Sequence, residues 1–185
     1  MKEKIGAGLI EFLKDLAVAA ILAAVVLAFI KPTIVKESSM EPTLYENNYL
    51  LLSRQAYRFG EPKRGDIIVF HTDLTTDEGK EKLLIKRVIG LPGETVTIAD
   101  GEVYIDGALL SEDYTKDGYT KGNVDNLLIP EGEVFAMGDN REVSLDSRYP
   151  EVGNVEISKI VGKAFLRLYP FNKITHFGIQ SYDLS

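Results

Sequence analysis

Residues 83–107 read LLIKRVIGLPGETVTIADGEVYIDG. Short runs of aliphatic and β-branched residues alternate with turn residues, and no helical period runs through them. LLIKRVIG (83–90) and TVTI (95–98) read as strands, and LPGE (91–94) puts Pro92 and Gly93 at the centre of a type II turn. Asp100-Gly101 and Asp106-Gly107 are tight-reversal pairs on either side of EVYI (102–105), so the stretch predicts a hairpin meander.

The same signals recur on both sides. YLLLS (49–53), IIVFH (67–71), EVFAMG (133–138) and IVGKAFLRLYP (160–170) read as strands, and GEPKRGD (60–66) as a turn. DLTTDEGKEK (73–82) reads as a solvated loop, and 111–133 as a loop-rich excursion with several glycines and excess acid. The fold class expected is mainly β, an antiparallel β domain preceded by one N-terminal transmembrane helix.

That helix is announced by LAVAAILAAVVLAFI (16–30), which carries no charge. At about 1.5 Å per residue it gives roughly 22 Å of helix, short of a hydrocarbon core of about 30 Å. Leu9, Ile10, Phe12 and Leu13 upstream, and Thr33, Ile34 and Val35 downstream, supply the difference, with Lys14 and Lys31 reaching the two interfaces. Phe29, Ile30, Lys31 and Pro32 offer no small-x-small cleavage site, which weighs against a removable leader. A buried core helix is the other reading of such a run. Lys31-Pro32 ends the helix. Lys2, Lys4 and Lys14 favour a cytoplasmic N-terminus, opposed by Lys31 and Lys36.

Composition narrows the chemistry. The chain has 185 residues with a net charge of -7, which argues against nucleic acid as a partner. It has no cysteine, so disulfides, thiolate zinc sites and cysteine nucleophiles are excluded together. Its two histidines, His71 and His176, are too few and too far apart to suggest a metal site. No metal and no cofactor are expected.

VKESSMEPTL (35–44) holds two adjacent serines just past the apolar run. A serine nucleophile without a neighbouring histidine can be activated by a neutral lysine amine, which must be desolvated or set near other cations. Lys86 fits that description. The pleat of 83–90 puts it on one face between Leu84 and Val88, while Ile85, Arg87 and Ile89 share the other. The Arg87 guanidinium next door is expected to make protonation of Lys86 costlier. The plainer reading of Lys-Arg here is an edge strand guarded by charge. GDNREVSLDSR (138–148) likewise reads as a polar loop, in which Arg141 with Asp146 or Arg148 forms a surface ion network of little worth.

Together these segments resemble the type I signal peptidases, bacterial membrane-anchored serine proteases of the short single-anchor form. The resemblance lies in an N-terminal anchor followed in order by SMEPTL (39–44), RGDIIVF (64–70), KRVIGLPGE (86–94), GDNREVSLDSR (138–148) and GKAFLRLYPF (162–171). It implies Ser39 as nucleophile and Lys86 as general base. It also implies Ser144 as the residue that orients Lys86, with Asp139, Asp146, Arg148 and Arg87 as structural supports and Arg87 the partner of Asp139. The substrates implied are signal peptides of exported preproteins, cut after small residues through an acyl-enzyme, with the lipid bilayer as the other partner. One position departs from the family: Glu37 stands where Ser or Gly is usual. A carboxylate is a poor oxyanion donor, so the hole is expected to use the Ser39 backbone N–H, with a second donor at the Glu37 or Ser38 position.

The expected organisation is a short cytoplasmic tail (1–15), a transmembrane anchor (16–35), a catalytic β domain (36–175) and a C-terminal tail (176–185). Within the catalytic domain, 100–134 is expected to be a small hairpin or loop subdomain. The catalytic domain is expected on the extracytoplasmic side of the cell membrane. The rival readings are a membrane-tethered binding domain without catalysis, a self-cleaving repressor-like Ser/Lys protease, and a Ser–His enzyme using His71 or His176.

Overall fold

The structure, a computed structural model, describes residues 2–76 and 78–178. Helix α1 spans Lys2–Phe29 without a break. No boundary therefore separates the expected tail 1–15 from the anchor, and the helix stops well short of residue 35. Within it Ile10–Phe29 is long and apolar enough to cross a membrane, with a mean hydropathy of 2.3 over 20 residues. At 1.5 Å per residue that is about 30 Å. All its side chains from Ile10 onward are exposed.

The helix ends at Phe29 because the next residues have better backbone partners in a sheet. Strand β1 (Ile30–Ile34) pairs antiparallel with β2 (Tyr49–Ser53), with Ile30 opposite Ser53 and Ile34 opposite Tyr49. Thr33, Ile34 and Lys31, expected to extend the anchor, thus belong to the β domain. The open carbonyls of the last helical turn are taken by the residues just after β2. Arg54 N–H donates to Phe29 O (2.9 Å), the Arg54 guanidinium to Leu27 O (3.4 Å) and the Gln55 amide to Ala28 O (3.3 Å). A cation at this end also suits the helix dipole.

The remaining strands are β3 (Ile67–Thr75), β4 (Glu81–Gly90), β5 (Thr95–Ala99), β6 (Glu102–Ile105), β7 (Ala108–Leu109), β8 (Val124–Leu128), β9 (Glu133–Met137), β10 (Val155–Glu156), β11 (Ile160–Tyr169) and β12 (Thr175–His176). They form two sheets. One runs β1-β2-β11-β3-β4-β9-β10 with β12 on β11, the other β7-β6-β5-β8, and every pairing given is antiparallel. The mainly β, antiparallel class is as expected. The turns follow their chemistry. Gly93 has φ +80° and Glu94 N–H donates to Leu91 O, while Asp100-Gly101 and Asp106-Gly107 all have positive φ.

Three expectations are corrected. The loop 73–82 is strand at both ends, 73–75 and 81–82, because Thr75 pairs with Glu81 and Thr72 Oγ1 donates to Lys82 O (2.7 Å). Polar residues extend this hairpin because water covers its outer end. The excursion 111–133 contains β8, an edge strand on β5. Its side chains are mostly exposed and Asn126 has φ +43°, so no alternation marks it in sequence. The small subdomain begins at Thr95 rather than at 100. Of the C-terminal tail expected at 176–185, residues from 179 onward lie outside the described residues.

Three apolar clusters hold the domain. Ile85, Val69, Leu50, Leu52, Val35 and Met40 share one, and Leu84, Val88, Ile68, Phe70 and Ala136 share the second. Ile89, Phe135 and Met137 meet Val96, Ile98, Val103 and Ile105 in the third, which joins the two sheets. Strand β4 sends side chains into all three. We expect Phe135→Ala, which empties a fully buried position between the sheets, to cost about 3–5 kcal/mol, measured by urea unfolding of the detergent-solubilised chain.

Candidate active site

The segment 35–48 is folded by its own apolar residues. Val35, Met40 and Leu44 are buried, Val35 and Asn47/Asn48 exchange backbone hydrogen bonds, and Leu44 N–H donates to Met40 O. Ser39 is thereby held 8% exposed on the wall of a cleft of about 540 Å³. Val35, Met40, Val69, Leu83 and Ile85 give this cleft apolar walls.

Lys86 reaches the same point from β4. Its Nζ lies 2.6 Å from Ser39 Oγ, hydrogen-bonded, although the two residues are 47 apart in sequence. Lys86 is 1% exposed and has no carboxylate among its hydrogen-bond partners. Burial pushes its amine down to about 8; the carboxylates of Asp146 and Glu37 pull the other way, while Lys82 and Arg148 lower it further. Lys82 and Arg148 are thus cations that act on the amine. Arg87 lies on the opposite face of β4 and turns its guanidinium to Asp139.

That Arg87–Asp139 pair is bidentate, at 2.8 and 2.7 Å, and both residues are buried. Asp146 is equally buried. It accepts from Gly138 N–H (3.0 Å) and from Arg148 Nε and Nη2 (2.8 and 2.9 Å). Burial alone would raise the Asp146 carboxyl, but Arg148, the nearby Ser144 hydroxyl and Gly138 N–H hold it below the usual carboxylate range. Arg148 also ties down the loop by donating to Arg141 O, Ser144 O and Lys121 O. Arg141 is 1% exposed and bidentate on Glu112, so the surface network expected in this loop is a buried one. It is viable there because its donors and acceptors are satisfied within the protein.

Ser144 sits beside Ser39, across Gly138. It is buried, and its Oγ lacks a hydrogen bond of good geometry even though it favours the Asp146 carboxylate. Its position is set by the Ser144 N–H bond to Asn140 O and by Gly138. A Cβ on Gly138 would run into both Ser144 Oγ and Ser39 O. Glu37 is turned to Lys82, 2.7 Å away, and is half exposed. Ser38 is exposed, and Ser39 N–H makes no internal hydrogen bond among the described residues. His71 pairs with Glu81 and His176 lies on β12; neither bonds to Ser39. Among the described residues no group of three or more His, Asp or Glu is placed to hold a metal ion.

Sequence reasoning passed over several residues that shape this site. Asn140 N–H donates to Ser39 O and its amide to Ser38 O, which fixes the nucleophile segment to the 138–148 loop. The stretch 112–120 straps both. Glu112 holds Arg141, Thr120 Oγ1 meets the same guanidinium, and Tyr114 lies 4.1 Å under the Arg87 guanidinium. Lys116 N–H donates to Asp139 O, and its amine pairs with Glu41. The sequence signals for this strap are Tyr114 and Tyr119, two aromatics in an otherwise polar run.

Fold and site together place a buried lysine amine against a serine hydroxyl on an antiparallel β domain with an N-terminal apolar helix. The family model described as "Signal peptidase, peptidase S26" matches residues 9–169. A probable signal peptidase I-2 from Synechocystis is 37% identical over 89% of this chain and 75% of its own. A signal peptidase I from Bacillus licheniformis is 35% identical over 90% and 91%. A solved signal peptidase I from Enterococcus faecalis is 36% identical, covers 56% of this chain and 97% of its own, and has a TM-score of 0.46. The chain belongs to the signal peptidase family, peptidase S26.

The crowding at Gly138 yields a prediction. Gly138→Ala must push either Ser144 or the Ser39 carbonyl aside. Because misplacing a reacting group by about 1 Å can cost on the order of 10²-fold, kcat should fall by about that factor while circular dichroism stays that of a folded β domain.

Proposed function

We propose that this chain is a membrane-anchored serine endopeptidase that removes N-terminal signal peptides from exported preproteins, with Ser39 as nucleophile and Lys86 as general base. The observation that carries the reading is the 2.6 Å contact between a buried amine and a serine hydroxyl on the wall of a largely apolar cleft.

The mechanism follows from that contact. Neutral Lys86 Nζ takes the Ser39 Oγ proton as Oγ bonds to the peptide carbonyl carbon. The carbonyl electron pair moves to oxygen, and Ser39 N–H, free of internal bonds, stabilises the oxyanion. A second donor comes from the Ser38 position, since Glu37 is engaged by Lys82. Collapse breaks the peptide C–N bond, and Lys86 passes its proton to the departing amine. Lys86 then deprotonates the water that releases the acyl group and restores Ser39. Ser144 Oγ, with unused lone pairs beside the dyad, accepts from the Lys86 ammonium and orients it. Asp139, Asp146, Arg148 and Arg87 support the loop that carries Ser144.

The apolar cleft walls suit small side chains before the cut. Ile10–Phe29 is the single membrane anchor, with the N-terminus in the cytoplasm, as Lys2, Lys4 and Lys14 favour, and the catalytic domain on the other side. Anchor and substrate then share one membrane surface, which raises their effective concentration. Catalytic chemistry is assigned to the two-sheet domain that starts at Ile30.

The test is the product mass from a preprotein incubated with the detergent-solubilised chain and with Lys86→Met. A single cut after a small-x-small site is expected, with kcat/KM lower by about 10²–10⁴-fold in Lys86→Met. Cleavage by neither protein, both folded, would favour a tethered binding domain. The base must be neutral to act, so activity should rise with pH and level off above about 8. Below that, kcat/KM should drop about 10-fold per pH unit.

A further inference from the structure

Glu37 and Lys82 come from opposite walls of the cleft. Glu37 stands two residues before Ser39, and Lys82 opens β4 four residues before Lys86. Their charged atoms meet at 2.7 Å, and both residues line the cleft with Ser39. Half exposed, the pair adds little to stability. Its position is more telling than its strength, for it lines the same cleft as Ser39, the hydrogen-bond partner of the buried Lys86 amine.

Four of the charged groups that act on that amine form two couples. Asp146 and Arg148 come from the 138–148 loop and are bound to each other. Glu37 comes from the nucleophile segment and Lys82 from β4 itself, and they too are bound to each other. Lys36 and Glu81 line the same cleft. We propose that Glu37 and Lys82 are positioning residues for the reaction, an ion pair across the cleft whose opposite charges counterbalance each other on the Lys86 amine. The inference rests on the Ser39–Lys86 reading. It also explains how a carboxylate is tolerated beside the place where negative charge develops on the substrate, because Lys82 neutralises it.

The experiment is the pH dependence of kcat/KM for the full detergent-solubilised chain on a preprotein. Wild type is compared with Glu37→Gln, Lys82→Gln and the double variant. Both side chains are partly exposed, so folding is not at stake. Glu37→Gln leaves the Lys82 cation unopposed. The acid limb should move to lower pH, raising kcat/KM on the limb about 2-fold. Lys82→Gln leaves the Glu37 carboxylate unopposed, and the limb should move to higher pH, lowering kcat/KM there about 2-fold. The double variant should return close to wild type, and added salt should shrink both single displacements. Limbs that superimpose on wild type, or single variants that move the same way, would overturn the proposal. Lys86→Met is run alongside. If it stays active, the dyad reading fails and this inference with it. If it is inert while the limbs of the other variants stay put, only the charge couple fails.

Discussion

The structure depends on keeping one lysine amine dry. Lys86 lies on β4, between β3 and β9, and is 1% exposed with only a serine hydroxyl as hydrogen-bond partner. An ammonium in such a place loses its hydration and gains no directly bonded anion, so the neutral amine is favoured. Strand β4 meets that requirement because its side chains feed all three apolar clusters. Ser39, the hydrogen-bond partner of Lys86, stands on the wall of the cleft.

Around this neutral centre the fold places charge in closed pairs. Arg87 is bound to Asp139, Arg148 to Asp146, and Arg141 to Glu112, each buried or nearly so. Buried ion pairs are weak sources of stability, because desolvation offsets much of their attraction. What they supply here is geometry. Arg87 links β4 to the 138–148 loop, Arg148 closes that loop on itself, and Arg141 links it to the strap 112–120. Asn140 then connects the loop to the nucleophile segment. Serine and lysine are brought together by two separate routes, the sheet and this polar lattice. The active pair therefore does not depend on a flexible loop.

The helix is joined to the domain through β1, with no linker between them. Its last carbonyls are taken by Arg54 and Gln55, and the chain enters the sheet in the next residue. Ser39 follows a few residues after β1, so the helix and the cleft share one short segment of chain.

Much of this was legible in the sequence because it is encoded locally. The apolar run of α1, the strands around Lys86, and the Pro92-Gly93 and Asp-Gly turns all depend on backbone preference and burial within a few residues, whereas the roles of Ser39 and Lys86 come from a resemblance in motif order. Sequence reading failed where a partner came from far away. β8 carries no alternation because its pairing with β5 buries little. The strap 112–120 looked like loop because its Glu112, Tyr114 and Lys116 have partners only once the second sheet is packed on β9. Arg87, adjacent to Lys86 in sequence, lies on the opposite face of the strand and is drawn to Asp139. Lys82 and Arg148 are among the cations that act on the amine. Periodicity specifies which side chains leave water, since that follows from the pleat of a single strand. Which charges face one another follows from the order of strands in the sheets, and only the tertiary structure decides that.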